Sequence, residues 1–392
     1  MKKLFIIVIL TYLSFAINNS AIAENTNEKN SANKKVLEIG VLLPLSGKFQ
    51  DIGESFLKAI QLALYEISNE NIKIIPKDSK GNALDTYRSA REFEELGIKI
   101  VIGPIFYESL ERLNEINNIT FISFTNKTRN VPKNTIAFGI NIESQIEALK
   151  KYFDEIKVSK TLLLSPKSEF TNESESVAKK DILKFYRTYS YDINPKKITG
   201  EIEKITKYRD RKRDLERRIK ILEKSELVKD KNELKILEQK HTLGKVNFDS
   251  VIVLDFGERL KSILTSFMFS DVSNKEVNFF TINQWFDETL FNENAAQNLH
   301  FPAIDFNNFK KFERKYLNTY KEKPNKVSIL AYDALGLIYY CWYNNKEQFN
   351  PEQLYNKEGF KGMHGEFFIE NNLSIQKLKI YKINQKKFIK VY

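Results

Sequence analysis

Polar and aromatic side chains stand where buried strands of this sequence are predicted to end, and these residues are best placed to hold a ligand. Hydroxyl and amide groups orient a polar molecule through hydrogen bonds, and aromatic rings stack on it or shield it. In parallel sheets, ligands bind at the carboxyl ends of the strands, where Ser46 and Gly103 fall. The other candidates of this kind are Tyr107, Ser109, Ser123, Thr125, Asn126, Asp255 and Trp285.

Residues that could catalyse a reaction or bind a metal lack the spacing that such chemistry requires. No metal-spaced pair is formed by the three histidines, which are His241, His300 and His364. The single cysteine, Cys341, lies in an apolar helical stretch and is predicted to be a core residue, not a nucleophile. We therefore expect a binding protein without a cofactor or metal, and an enzyme is the least favoured class.

Alternating apolar runs and amphipathic stretches predict how the candidates are positioned. Residues 37–43 form a branched apolar run, typical of a strand buried on both faces, and residues 55–67 carry apolar side chains at helical spacing. Strands are also predicted at 72–75 and 98–102, with a helix at 84–96 between them. The order βαβαβ predicts a parallel sheet with right-handed crossovers.

The alternation continues through the first lobe and then restarts, which predicts a second lobe. The first lobe goes on with a helix at 107–116 and a strand at 134–140. The restart is a strand at 160–164 followed by a helix at 174–186. Residues 365–392 alternate apolar and polar side chains around two turns, which predicts a β-hairpin or meander.

The first residues predict export. Two lysines precede an apolar stretch, which ends in Ala21-Ile22-Ala23, the pattern of a signal peptide that is cleaved after residue 23. Residues 24–35 are polar and are predicted to be a flexible lead-in. We therefore expect a periplasmic protein that is not anchored to a membrane after cleavage.

Length and charge narrow the class of protein further. The 392 residues exceed what one core usually holds, which again favours two lobes. A net charge of +11 on an exported protein argues against a nucleic-acid partner but permits attraction to anionic envelope polymers or membrane surfaces. Lysine enrichment in a low-GC genome explains the same charge without any partner.

Residues 201–242 differ from their surroundings because charged side chains dominate them. Apolar residues recur there at helical spacing, with a break near residues 229–232. We interpret the segment as a helical hairpin inserted into the second lobe, its narrow apolar seam formed by Leu215, Ile219, Leu222, Leu234 and Leu237. The hairpin is either a solvated insertion that packs on its own lobe or a docking surface for a partner protein.

Several motifs resemble those of type I periplasmic solute-binding proteins, the leucine/isoleucine/valine-binding class. These motifs are residues 39–47, Val101-Ile102-Gly103-Pro104 and Ala331-Tyr332-Asp333-Ala334. Within this class, the chain is most similar to the branch called penicillin-binding protein activators, on the evidence of Gly103-Pro104-Ile105, Phe124-Thr125-Asn126 and Phe248-Asp249-Ser250-Val251.

The resemblance implies an α/β fold with two doubly wound parallel-sheet lobes, joined by hinge crossovers around a ligand cleft. Ser46, the 103–109 loop and residues 123–126 would line the cleft on the first lobe, and Ser165, Phe170 and Asp255 on the second. The predicted segments are 36–145 and 283–345 for lobe 1, and 146–282 and 346–392 for lobe 2, with 201–242 as the insertion.

Two functions are compatible with the resemblance. One is a solute-binding protein that captures a small polar ligand, amino-acid-like or related, for an ABC-type inner-membrane transporter. The other is an envelope regulator that resembles a penicillin-binding protein activator and docks on a peptidoglycan synthase. Amino-acid binders of the class usually carry a loop of small residues where Phe124-Thr125-Asn126 stands here, and both functions therefore stay open.

Overall fold

The computed structural model contains two mixed, mainly parallel sheets with helices on their faces. It describes residues 36–167, 175–178, 180, 185–283 and 285–392. The predicted signal peptide at 1–23 and lead-in at 24–35 lie outside these residues. The predicted two-lobed α/β fold is confirmed.

The first sheet begins with the βαβαβ unit that the sequence predicts. Its first elements are β1 (Leu37–Leu43), α1 (Gln50–Ile67), β2 (Ile72–Asp78), α2 (Ala83–Glu95), β3 (Ile100–Ile102), β4 (Thr120–Ser123) and β5 (Thr135–Ala137). These strands are all parallel and lie in the order β5-β4-β3-β1-β2. β1 is therefore internal, which explains its unbroken apolar sequence.

The helix predicted at 107–116 is wrong. The segment forms two short 3₁₀ turns instead, Tyr107–Leu110 and Leu113–Glu115. Ser109 N bonds Phe106 O at 3.2 Å, and no side chain caps the start of the first turn. Without a cap, the first N–H groups of a short helix have no partner. The tighter i→i+3 bonds of a 3₁₀ turn pair some of the backbone groups that an α-helix would leave free.

The second sheet contains the strand–helix restart and the insertion. Its elements in chain order are α3 (Ile142–Ile156), β6 (Thr161–Pro166), β7 (Phe185–Tyr191), α4 (Pro195–Thr206), α5 (Tyr208–Leu222), α6 (Val228–Leu237), β8 (Ser250–Val253), α7 (Gly257–Phe269), β9 (Asn278–Thr281) and β10 (His300–Ala303). β6 to β10 pair in parallel in the order β10-β9-β8-β6-β7.

The helix predicted at 174–186 is wrong at its end, because β7 already begins at Phe185. Residues 175–178 are helical. The β7 sequence is rich in aromatic residues and threonine, which favour strands, and pairing with β6 fixes it in the sheet.

The C-terminal part contributes strands to both sheets. Its elements are α8 (Phe306–Tyr320), α9 (Ile329–Asn344), β11 (Phe360–Lys361), β12 (Glu366–Glu370), β13 (Leu373–Gln376), β14 (Lys379–Asn384) and β15 (Lys387–Lys390). β11 to β13 extend the first sheet beside β5, whereas β14 and β15 extend the second beside β10. The predicted C-terminal hairpin is thus two hairpins in different sheets.

Strand membership therefore differs from the predicted lobe segments. β10 falls in the segment assigned to lobe 1, 283–345, but pairs with β9 of the second sheet. β11 to β13 fall in the segment assigned to lobe 2, 346–392, but belong to the first sheet. Alternation within a strand indicates which side chains are buried and does not identify the neighbouring strand.

Packing of α9 against α1 closes the first lobe. Cys341 on α9 is buried, and this burial raises the pKa of its thiol to about 11, so the prediction of a core cysteine is confirmed. Among the described residues, no helix has both the length and the apolar composition needed to cross a membrane.

The inserted hairpin consists of α5 and α6. The bend lies at residues 223–227, so the break predicted near 229–232 is wrong. Arg218 pairs with Glu233 through two bonds of 2.9 Å and fastens the two helices together. The predicted seam is confirmed and is closed within the hairpin, where Leu215, Leu222 and Leu237 are buried.

Candidate ligand-binding site

The carboxyl edge of the first sheet brings Gly103, Ser123 and Thr125 together. Ser123 Oγ donates to Pro104 O at 2.8 Å and accepts from Thr125 N at 3.2 Å. Gly103 has φ +111, and a Cβ there would lie 2.0 Å from Leu42 O, so glycine is required. All three residues are buried, and their polar groups fix the loops.

Ser46 lies at the same edge and contacts Asp78, a carboxylate that the sequence analysis missed. Ser46 Oγ donates to Asp78 Oδ2 at 2.5 Å, and Leu45 N and Lys80 N donate to Oδ1 at 2.8 Å. Burial raises the pKa of Asp78, but these hydrogen bonds outweigh it and leave the pKa below its usual value. The available signal was an acidic residue in the polar turn that follows the strand predicted at 72–75.

Tyr107, Ser109 and Asn126 take no part in these hydrogen bonds. Tyr107 lies on the wall of a cavity of about 970 Å³ between residues 107–118 and 127–134. Its hydroxyl donates to Arg129 O at 3.1 Å, and Lys127 Nζ lies 4.4 Å from its ring centroid. Ser109 is buried, its hydroxyl lacks a hydrogen-bond partner among the described residues, and Asn126 is half-buried.

The carboxyl edge of the second sheet is built around Asp255, which is 1% exposed. Tyr191 OH donates to its Oδ2 at 2.5 Å, and Arg259 contacts both oxygens, with Nε at 2.8 Å and Nη2 at 3.1 Å. Burial, reinforced by Asp255, raises the pKa of Tyr191. The hydrogen bond to Asp255 raises the pKa of Arg259, whose side chain is 43% exposed.

The remaining predicted site residues have separate surroundings. Ser165 Oγ donates to Glu175 Oε2 at 2.8 Å and lies 3.2 Å from Ser190 Oγ. Trp285 is half-buried and packs against the apolar core. Phe170 lies outside the described residues.

Tyr191 and Arg259 were missed for different reasons. Tyr191 lies on β7, the strand that the predicted helix at 174–186 obscured. Arg259 did leave a signal, because it follows Asp255 by four residues, a spacing at which opposite charges pair, and lies at the start of α7.

Polar side chains join the segments that run between the two sheets. Gln376 N donates to Ser144 Oγ at 2.9 Å, and its Nε2 donates to Gly139 O at 3.2 Å. Gln145 and Asn283 exchange two hydrogen bonds of 3.0 and 2.7 Å. These bonds tie Gly139 and the first turn of α3 to the end of β13 and to the segment that follows β9.

The histidines do not form a metal centre. Burial lowers the pKa of His300 to about 4, and its ring packs beside Phe280. His364 is buried against Asp333, and His241 is exposed. No group of three or more His, Cys, Asp or Glu in the described part of the chain is placed to hold a metal ion.

The sequence matches a known family over its first part. Residues 36–185 match the family model described as periplasmic binding protein. Solved structures extend this likeness to most of the chain, and no curated protein is similar enough in sequence to count as a match. The resemblance to type I periplasmic binding proteins is therefore confirmed.

Three solved structures illustrate the likeness. The C-domain of LpoA (YraM) from Haemophilus influenzae, a regulator of PBP1A, is 14% identical, with a TM-score of 0.61 over 91% of this chain and 100% of that chain. LivJ, the substrate-binding protein of a Streptococcus pneumoniae branched-chain amino acid transporter in complex with isoleucine, is 14% identical, with a TM-score of 0.57 over the same shares.

A branched-chain amino acid ABC transporter periplasmic ligand-binding protein from Burkholderia xenovorans is 10% identical, with a TM-score of 0.67 over 91% of this chain and 94% of that chain. At such identities the likeness shows the fold alone.

Proposed function

We propose that the protein is a periplasmic solute-binding protein that holds a small polar, amino-acid-like ligand between its lobes for an ABC-type transporter. The observation that carries this proposal is the pair of parallel sheets whose carboxyl edges both end in polar clusters. Fold and family match support it, because this fold serves ligand capture in LivJ. The same comparisons and the predicted signal peptide support a periplasmic location.

Arg259 indicates which chemical group the proposed ligand carries. Asp255 fixes two guanidinium nitrogens, while Nη1 makes no hydrogen bond to the described residues and part of the side chain is exposed. A positioned guanidinium binds carboxylates strongly. An amino-acid-like ligand would therefore place its carboxylate at Arg259.

A thermal-shift panel on the mature chain tests the proposal, with amino acids, small peptides, polyamines and peptidoglycan fragments as probes. A ligand at about 100 times its Kd adds roughly 2.7 kcal/mol, a shift of several degrees. Arg259→Gln should abolish the shift, whereas Arg88→Gln, an exposed arginine on α2, should preserve it. A folded protein that responds to no probe would contradict the proposal.

A second candidate function is regulation of a peptidoglycan synthase, and the α5–α6 hairpin favours it. Lys and Arg outnumber Asp and Glu in residues 208–237, and Lys212, Lys220 and Lys224 are exposed without an ion pair among the described residues. At the bend, Leu227 and Val228 are 66% and 75% exposed. A basic surface with an apolar tip suits an acidic partner with an apolar contact.

Binding of a purified peptidoglycan synthase to the full chain distinguishes the two functions. Under regulation, the double variant Leu227→Ser/Val228→Ser should lose synthase binding while its melting temperature stays the same, because both side chains are exposed. Under transport, that variant should keep the ligand-induced thermal shift, and the wild-type chain should not bind the synthase.

A further inference from the structure

We propose that a second small-molecule site lies in the first lobe, between α9 and the β11–β12 hairpin, and that it binds an aromatic ring carrying a carboxylate. The cavity measures about 490 Å³, within the usual range of ligand pockets. None of its lining residues belongs to the clusters at the carboxyl edges, so the site does not depend on the proposed function. Its main walls are Tyr332, Gly336, Tyr340, Phe360, Met363 and Phe367.

The floor of the cavity is open at Gly336. Tyr332, Gly336 and Tyr340 follow one another at four-residue intervals and therefore share one face of α9. A Cβ at Gly336 would meet no atom within 4 Å. Glycine is unfavourable in a helix interior, and no close contact requires it here, so its effect is to leave space between the two tyrosines.

Aromatic rings form the wall opposite the floor. Tyr340 meets Phe360 edge-on with ring centroids 5.9 Å apart, and Phe360 lies 5.6 Å from Phe367. Such an arrangement offers both a face and an edge to an added planar ring, the geometries that aromatic pairs prefer. Met363 completes the lining with a flexible, polarizable side chain.

Hydrogen bonds hold the cavity in shape without a ligand. Asp333 on α9 accepts from Met363 N at 2.7 Å and His364 N at 2.6 Å, and it contacts the His364 ring. A Cβ at Gly362 would lie 2.6 Å from Asp333 Oδ2, so the 362–364 loop presses closely on the helix. A preformed pocket does not incur the ordering cost that weakens binding to mobile loops.

The polar rim determines the charge of the ligand. Lys361 lines the cavity, is exposed and makes no ion pair among the described residues. The Asp333 carboxylate is already engaged by three donors, and Tyr332 OH donates to Glu66 Oε2 at 2.7 Å. The Lys361 ammonium is therefore the charged group left to pair with a ligand, and it selects a carboxylate.

Titration of the full chain with 3-phenylpropionate, followed by ligand-observed NMR, tests the site. Gly336→Leu should weaken binding by at least about tenfold, because leucine would occupy the open volume. Tyr340→Ala should weaken binding too, whereas Tyr343→Ala, one turn further along α9 and outside the lining, should not. Both tyrosines are exposed, at 53% and 58%, so both variants should fold.

Two further measurements test the charge assigned to the ligand and the independence of this site from the proposed cleft. Lys361→Gln should weaken binding about threefold, and 3-phenylpropanol should bind less tightly than the carboxylate. Arg259→Gln should leave phenylpropionate binding unchanged, which separates this site from the proposed cleft. Equal binding to wild type, Gly336→Leu and Tyr340→Ala would overturn the site, and tighter binding of the alcohol would overturn the assigned ligand class.

Discussion

Each sheet has a carboxylate at its carboxyl edge, and the two are held in different ways. Asp78 of the first sheet is half-buried and accepts only from neutral donors, the Ser46 hydroxyl and two backbone N–H groups. Asp255 of the second sheet is fully buried and is held by the Arg259 guanidinium and the Tyr191 hydroxyl. A half-buried carboxylate keeps some water, whereas a fully buried one needs a counter-charge.

The difference has a consequence for ligand binding. Because its donors are neutral, Asp78 brings no cation to the first edge that could pair with a ligand carboxylate, and the polar groups of the neighbouring Ser123 and Thr125 already form hydrogen bonds within the loops. The cation that Asp255 requires is partly exposed, so charge at the second edge is available to solvent and to ligands. Three variants test how strongly each charge depends on its partners.

The largest effect is expected for Asp255→Ala. The change leaves the buried Tyr191 hydroxyl without its acceptor and the partly exposed Arg259 guanidinium without its counter-charge, and the loss of these hydrogen bonds to a charged acceptor should cost about 3 kcal/mol in total. Urea denaturation at pH 7 measures the loss. Asp255→Asn removes the charge but keeps an acceptor oxygen and should lose less, and an Asn variant as stable as the wild type would show that the charge of Asp255 is not what stabilises this edge.

Arg211 offers a contrasting case, a buried cation that is held by neutral groups. It is buried at the base of the hairpin and donates to neutral acceptors, among them Thr206 O at 3.1 Å, Ser270 O at 2.5 Å and Thr242 Oγ1 at 3.0 Å. Burial lowers the pKa of this guanidinium. These bonds tie the start of α5 and the segment after α6 to the turn that follows α7.

Arg211→Met should therefore lower the local stability of the hairpin by about 2 kcal/mol. The lobe itself should be destabilised less. Limited proteolysis should cut the variant faster within 208–242, while the melting temperature of the lobe changes little. Arg213→Met, an exposed neighbour that pairs only with Asp210, serves as the control. A variant as resistant as the control would show that the seam alone fixes the hairpin.

Local patterns in the sequence predicted the elements that the two edges are built on. The βαβαβ unit, the buried seam of the hairpin and the core position of Cys341 all follow from apolar spacing, which depends on neighbouring residues only. Strand partners do not. β13 and β14 follow one another in the alternating segment 365–392, yet one joins the first sheet and the other the second, because pairing is decided across distant parts of the chain.

The candidate site was predictable to a lesser degree. Ser46, Ser123 and Asp255 could be assigned to strand ends, but their hydrogen-bond partners could not. Asp78 and Tyr191 lie far along the chain from Ser46 and Asp255 and meet them only after folding, whereas Arg259 follows Asp255 by four residues and left a local signal. A hydroxyl at a strand end thus signals position, and the fold determines whether it faces a ligand or a neighbouring loop.

The smallest effect is expected for Ser46→Ala, and it depends on pH. The pKa of Asp78 is lowered in the folded protein, so its ionised form contributes stability that is fully present above the unfolded pKa of about 3.9. This contribution is lost as the pH falls through the folded pKa. Removal of the Ser46 hydroxyl should cost about 1.5 kcal/mol at pH 7, because the hydrogen bond is made to a charged acceptor, and less at an acidic pH below the folded pKa, where Asp78 is protonated. Ser123→Ala is the matched control, since its hydroxyl bonds only backbone groups and its cost should not change with pH. Urea denaturation of both variants at the two pH values measures the difference, and a Ser46→Ala cost that is constant with pH would mean that Asp78 is not stabilised through its charge.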